Sequence, residues 1–257
     1  MRDADVAAAY DNAAAAWKRG PEAAYARMAE ALVATAPVPL AGARVLDVGA
    51  GTAVAGRAAL AAGAASVVAA DIATGMLRYR GPGIDAVCAD AARLPFGSGT
   101  FDLVTASFCL GHLPEPARAV EEIRRVSTAL SASAFTPDWT HPVKAAVDEA
   151  MAGFGFAIPI WYRELKEGRE AAVNDPDALE RLARGAGFSD VRVVRLEVDT
   201  GLSSAADIVD WRLGMAHLAA FFQGLPAHVQ VEARAAAEAA VGDTDPVVIP
   251  ILALSAS

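Results

Sequence analysis

The stretch Val45-Leu46-Asp47-Val48-Gly49-Ala50-Gly51-Thr52-Ala53 (VLDVGAGTA) decides the fold. Residues 44–48 (RVLDV) form a short apolar run of the kind that makes a buried strand. The run ends in glycines at 49 and 51, and small apolar residues at 54–62 then predict a helix that stops at Gly63. Glycine admits left-handed backbone angles and lets a ligand come close to the chain. The first turn of a helix after such a loop presents unpaired N–H groups to an anion. By itself the loop is equally a tight strand-to-helix turn.

Working outward, the same rhythm repeats. Strands are expected at 66–70, ending at Asp71, at 85–89, followed by Asp90, and at 101–106 (FDLVTA). A short helix at 74–79 is broken by Gly81-Pro82-Gly83. The helix 116–126 carries Ala119, Val120, Ile123 and Val126 on one face, and a fifth strand is expected at 130–135. Strand and helix alternating in short steps predict an α/β fold with a doubly wound, mostly parallel sheet. In such sheets the ligand lies beyond the C-terminal strand ends, which here carry residues 47–51, Asp71, Asp90 and residues 107–112.

The flanks read differently. Val6, Tyr10, Ala13, Ala14 and Trp17 share a helical face, and Gly20-Pro21 separates that helix from a second at 22–35. Past Phe135, residues 137–162 are rich in aromatics, proline and glycine. A helix from Asp175-Pro176, a strand at 188–199, a helix at 203–222 carrying Trp211, a helix at 226–241 and a last strand at 247–255 follow. The last two strands are expected at the far edge of the sheet. The division is therefore an N-terminal helical cap at 1–40, a core at 41–200 and 246–257, and a helical lid insertion at 201–245.

Composition narrows the function. With 54% hydrophobic residues the 257-residue chain is no disordered segment. Cys88 and Cys109 are too few for a disulfide scaffold, which points to a reducing, cytoplasmic setting. The longest stretch without Asp, Glu, Lys or Arg, 213–231, contains His217, Gln223, Pro226 and His228, so no membrane span is expected. The N-terminal stretch has no apolar core of the signal-peptide kind. A net charge of −9 disfavours nucleic acid as partner; a small-molecule partner is expected on other grounds, and a monomer or homodimer is expected.

Asp71, at the next strand end after the loop, suits the two hydroxyls of a ribose. Asp90, at the third, suits an adenine amino group. Together with the loop they describe a nucleoside site. The dinucleotide pattern G-x-G-x-x-G would need glycine where Val54 stands, and Asp47 sits badly beside a pyrophosphate. An acid there suits a cation, an ammonium or a sulfonium.

VLDVGAGTA, Asp71, CADAARLPF, FDLVTASFCLGHL and EEIRRV as a set resemble the class I S-adenosylmethionine-dependent methyltransferases, closest to the small-molecule group called type 11. The resemblance is strong over about residues 40–135. It implies S-adenosyl-L-methionine as cofactor, with Asp47, Gly49, Ala50, Gly51 and Ser107 around its methionyl part. Asp71 would bind the ribose and Asp90 and Ala91 the adenine, with Ile72, Met76 and His112 also at the cofactor, and Tyr10 and Trp17 of the N-terminal helix would close over it. Two departures stand out. Ala53 replaces the family's third glycine, and Val126 runs into STALSASAF without the usual Leu-x-Pro-Gly-Gly turn.

The implied activity is methyl transfer to a small apolar or aromatic metabolite, oxygen preferred as acceptor. His112, His141 and His217 are the candidate bases. The four histidines lack ligand spacing, so no metal is expected. Trp139, His141, Trp161, Tyr162, Trp211 and Met215 are the candidate substrate wall. Two alternatives use the same residues: a cyclisation or rearrangement with the cofactor as bystander, and a non-catalytic nucleoside-binding protein.

Overall fold

Two helices, α1 (Asp3–Arg19) and α2 (Pro21–Val33), open the computed structural model, which describes residues 3–257. They meet at Gly20, and Pro21 takes the first helical position, where its missing N–H costs nothing. The glycine loop then joins β1 (Arg44–Val48) to α3 (Val54–Ala61). Next come β2 (Ser66–Asp71), α4 (Thr74–Leu77), β3 (Ile84–Cys88), β4 (Leu103–Ser107), α5 (Pro116–Val126) and β5 (Leu130–Phe135). Each strand ends within a residue or two of its expected end, because each is an apolar run closed by Gly, Asp or Ser.

The turn after Val126 is short and complete. Ser127 N donates to Ile123 O at 2.9 Å, and Ser127 Oγ accepts from Ala129 N at 3.1 Å. A serine hydroxyl thus does the work of the absent Pro-Gly-Gly turn, and the fifth strand starts where the sequence places it.

Beyond β5 lie α6 (Pro142–Ala152), α7 (Ile160–Glu164) with a wide π-type turn over Leu165–Glu170, α8 (Pro176–Gly185) and β6 (Val191–Asp199). The chain closes with α9 (Ala205–Leu213), α10 (Ala216–Gly224), α11 (Ala227–Val241) and β7 (Val248–Ala256). The sheet order is β3-β2-β1-β4-β5-β7-β6. β1 to β5 run parallel, and β7 lies antiparallel between β5 and β6. The strand order reverses between β1 and β4, which opens a crevice above their C-terminal ends.

Two expectations need correction. The single helix read at 203–222 is two helices, broken at Gly214-Met215. Gly214 is wedged under the α1–α2 corner: a Cβ there would stand 2.3 Å from Pro21 Cδ and 2.7 Å from the Ala16 carbonyl oxygen. Gly20 faces the other way, and its Cβ would stand 2.0 Å from the Asp210 carbonyl oxygen. The two corners are thus interlocked, backbone against backbone. The segment 137–162, in which the sequence pattern predicts no helix, holds α6 and the start of α7, and α6 packs against α9 and α11.

Burial follows the pattern that built the elements. Ala119, Val120, Ile123 and Val126 of α5 are fully buried. Complete burial of a large apolar side chain contributes about 1.5–3 kcal/mol. A second cluster, with Trp17, Tyr25, Met28, Val147, Met151, Ile208, Trp211 and Leu218, joins α1, α2, α6, α9 and α10 above the sheet. This upper cluster roofs the crevice.

Candidate functional site

Between sheet and roof lies a cavity of about 750 Å³. On the sheet side its wall is backbone and short side chains. Gly49, at φ +62°, turns the chain off β1 so that Gly49 N and Ala50 N both donate to Ala70 O, at 2.8 and 3.2 Å. A Cβ on Gly49 would stand 2.3 Å from Cys109 Sγ. Ala53 takes the left-handed conformation at φ 57°, which an alanine adopts at a cost of ~1–2 kcal/mol. The family's third glycine is thus missing from a position that still has a glycine's backbone. Phe108, at φ 53°, is the other non-glycine residue in that region, at the end of β4.

Two carboxylates brace this wall. Asp47 is 1% exposed; its Oδ2 accepts from Gly56 N at 2.9 Å and its Oδ1 from Thr105 Oγ1 at 2.8 Å. It caps the first turn of α3 from below. Burial raises its pKa to about 7, against the opposing pull of the two hydrogen bonds. Asp71 accepts from Gly51 N at 2.7 Å and from Ala73 N at 2.8 Å, and burial raises its pKa also. Asp90 is exposed and takes Ala92 N on one oxygen, at 2.9 Å.

A ladder of rings runs through the roof. Tyr10 meets Trp17 at 5.6 Å, Trp17 meets Tyr25 at 4.7 Å, and Tyr25 meets Phe108 at 5.4 Å. Phe108 stacks on Phe135 at 4.3 Å, Phe135 on Trp139 at 6.5 Å, and Trp139 reaches Trp211 at 6.3 Å. Offset and edge contacts at these distances add ~0.5–1.5 kcal/mol each to the burial of the rings. Tyr10 and His112 are joined where roof meets sheet, with Tyr10 Oη 2.8 Å from His112 Nε2. In this contact the imidazole tautomer sets which group donates: with Nε2 unprotonated, the tyrosine hydroxyl donates to it. Burial lowers the His112 pKa and raises that of Tyr10, so both are held neutral.

The cavity wall includes Tyr10, Trp17, Asp47, Gly49, Ala50, Gly51, Asp71, Ile72, Met76, Asp90, Ala91, Ser107, His112, Trp139, Tyr162, Trp211 and Met215. His141, Trp161 and His217 stand outside it, which corrects their expected place. His141 caps α6, its Nδ1 accepting from Val143 N at 3.4 Å. Trp161 and His217 line a second, more open hollow with Phe156 and Phe221. His217 stacks on Tyr162 at 3.8 Å, and burial beside Arg212 pushes its pKa down to about 2. His217 lies on α10, past the break at Gly214-Met215, and Trp211 on α9 before it.

The sequence reading passed over the charged part of the wall, which holds Lys144, Lys166, Arg169, Glu170 and Arg212. The candidate wall, expected from aromatics together with His141 and Met215, is therefore charged on one side. The ELKEGRE run reads as a solvated helical face. The available signal was the four-residue spacing of Tyr162, Lys166 and Glu170, which puts two charges in line with an aromatic.

Comparison with known proteins comes to the same place. A model of a methyltransferase domain matches residues 46–129. The demethylmenaquinone methyltransferase of Renibacterium salmoninarum is 37% identical over 141 residues, 54% of this chain and 57% of that protein. The protein of that name from Mycolicibacterium vanbaalenii is 37% identical over 163 residues, 58% of this chain and 69% of that protein. The chain spans about half the length of the curated relatives it matches first. Among solved structures, a protein named as a methyltransferase of an antibiotic biosynthesis pathway in Anabaena variabilis shares the fold. Its TM-score is 0.61 at 13% identity, over 90% of this chain and 96% of that one. Glycine loop, acidic strand ends, sheet order and relatives agree, and the chain belongs to the class I S-adenosylmethionine-dependent methyltransferases.

Proposed function

We propose that this chain methylates a small molecule with an aromatic or apolar body, a hydroxyl oxygen being the preferred acceptor. The observation that carries the reading is one continuous cavity with the glycine loop and Asp71 on one side and the ladder of rings on the other. A cofactor and a planar substrate can meet there.

The residues fit S-adenosylmethionine. Thr52 Oγ1, beside the loop, is buried with no partner in the chain, and Thr52 lines the cavity. Ile72 is 52% exposed although apolar, and it borders the cavity next to Asp71, as a surface that a flat base covers. Asp71 would hold the ribose, Asp90 and Ala91 the adenine, and Gly49, Ala50, Gly51 and Ser107 would border the methionyl part. Asp47 is 1% exposed with both oxygens on Gly56 and Thr105, so its part is to hold the loop in shape, whereas Asp71 is partly exposed and its oxygens keep lone pairs beside Gly51 N and Ala73 N. When bound, the cofactor supplies an electrophilic methyl group on a sulfonium.

The chain's own work is then to orient the acceptor and take its proton. Orientation alone can supply much of the rate. Tyr10 Oη can accept the proton of a substrate hydroxyl while its own proton passes to Nε2 of neutral His112, a pair matched to general-base work. Residues 1–40 and 201–245 act as the cover over the core 41–200 and 246–257, and α6 and α7 add to that cover.

Calorimetry with S-adenosylhomocysteine tests the cofactor assignment, and absence of binding sinks it. Transfer of a labelled methyl group to a panel of naphthols, naphthylamines and naphthoquinones tests the acceptor. Product only on carbon or nitrogen would overturn the preference for oxygen.

A further inference from the structure

Lys144 stands in the cavity wall, half-buried, with Nζ 4.5 Å from the centre of the Trp139 ring. It has no carboxylate within ion-pair distance among the described residues. The neighbouring cations are differently placed. Arg212, 3% exposed, holds Asp148 through one nitrogen at 2.7 and 2.9 Å. Lys166 is paired with Glu170 and lies 5.5 Å from the centre of the Phe135 ring. Lys144 also occupies the first turn of α6, the positive end of that helix. An ammonium placed there is repelled by the helix end and by two cations, and is compensated by one ring and, at longer range, by Asp148 and Glu170.

Such an arrangement is unfavourable for the protein alone, since a poorly paired buried charge is costly. An anion brought into the cavity relieves it. We infer that Lys144, backed by Arg212 and Lys166, is an anion subsite, so that the substrate carries an anionic oxygen on its planar body. The planar body lies along Trp139 and Phe135, and the anionic oxygen faces Lys144. Two orphaned donors in the same wall point the same way: Arg212 Nε and Trp211 Nε1 are buried with no acceptor in the chain. The acids facing Lys144, Asp148 and Glu170, are each already engaged by another cation. The inference rests on the cavity being the substrate site of the proposed methyltransferase, and its test separates the two.

The test is calorimetric binding of 2-naphthoate, 4-nitrophenolate and neutral 2-naphthamide to the full chain, with and without saturating S-adenosylhomocysteine. At least one anion is expected to bind about tenfold tighter than the amide, the advantage of a charge-assisted contact. Which anion does so distinguishes carboxylate from phenolate. In Lys144→Met the advantage should fall below about threefold, and Lys144→Arg should restore it, with circular dichroism unchanged in both. Equal binding of anions and amide overturns the inference, as does failure of both anions to bind. A loss of S-adenosylhomocysteine affinity in Lys144→Met also overturns it, because the lysine would then serve the cofactor. If S-adenosylhomocysteine does not bind the wild-type chain, the methyltransferase reading fails, and the cofactor-free arm still decides the anion preference.

Discussion

On the sheet side of the cavity Asp47 and Asp71 have their carboxylate oxygens on Gly56, Thr105, Gly51 and Ala73. On the roof side Lys144 has a tryptophan ring and, among the described residues, no acid within ion-pair distance. The first wall is made of backbone and short side chains, with little freedom left. The second is made of long side chains brought from α1, α6, α7 and α9. A wall of the first kind suits a ligand that never changes, and one of the second kind suits a ligand that differs between relatives. Rigidity and specificity are thus assigned to opposite faces of one space.

Substitutions can break that contrast. The largest effect is expected from Gly49→Ala. The new methyl would stand 2.3 Å from Cys109 Sγ at a φ of +62°, so strain and overpacking add. Together they should cost about 3 kcal/mol in urea unfolding and abolish S-adenosylhomocysteine binding. Trp139→Leu, in the other wall, should leave that binding intact. Asp71→Ala should weaken S-adenosylhomocysteine about 100-fold by calorimetry, roughly two charge-assisted hydrogen bonds. Tyr10→Phe should lower kcat for a hydroxyl substrate at least about tenfold and leave the S-adenosylhomocysteine Kd unchanged. An equal rise in Kd would assign Tyr10 to the cofactor wall.

Two pH effects sharpen the contrast further. Burial, with Arg212 and Lys166 nearby, pushes the Lys144 pKa down to about 8, while Asp148 and Glu170 oppose that shift. Deprotonation above that pH removes the charge, so naphthoate affinity should fall about fivefold from pH 7 to pH 9. The second pH effect belongs to Asp47. Its pKa is raised from 3.8 to about 7, so the native state holds that proton more tightly than the unfolded chain. Its contribution to stability is full below pH 3.8 and is lost as pH rises through about 7. Asp47→Asn should flatten the melting-temperature profile between pH 4 and 7, and an unchanged slope would refute this account.

The same contrast explains what the sequence could say. The sheet wall is local: VLDVGAGTA, Asp71 and Asp90 each sit at the end of an apolar run, so pattern alone locates them beyond the strand ends. Asp47 shows where that reading stops. Its position was legible, but its partner Gly56 lies nine residues on, inside a helix, and no periodicity reports that bond. The roof depends on tertiary packing. Tyr10 and His112 are 102 positions apart, and Lys144 lies in a segment whose prolines and aromatics hide a helix. His217 lies beyond the break at Gly214, which no pattern in the sequence marked, and lines the other hollow.

The interlocked corners bear on how this scaffold can be redesigned. Gly20 lies against Asp210, and Gly214 against Pro21 and Ala16, with no side chain between them to yield. A lid segment transplanted from a relative will dock only if its own N-terminal helices come with it. On the proposed reading, substrate choice then rests on α1–α2, the stretch 135–170 and α9–α11, and the first and last of these have to be exchanged together.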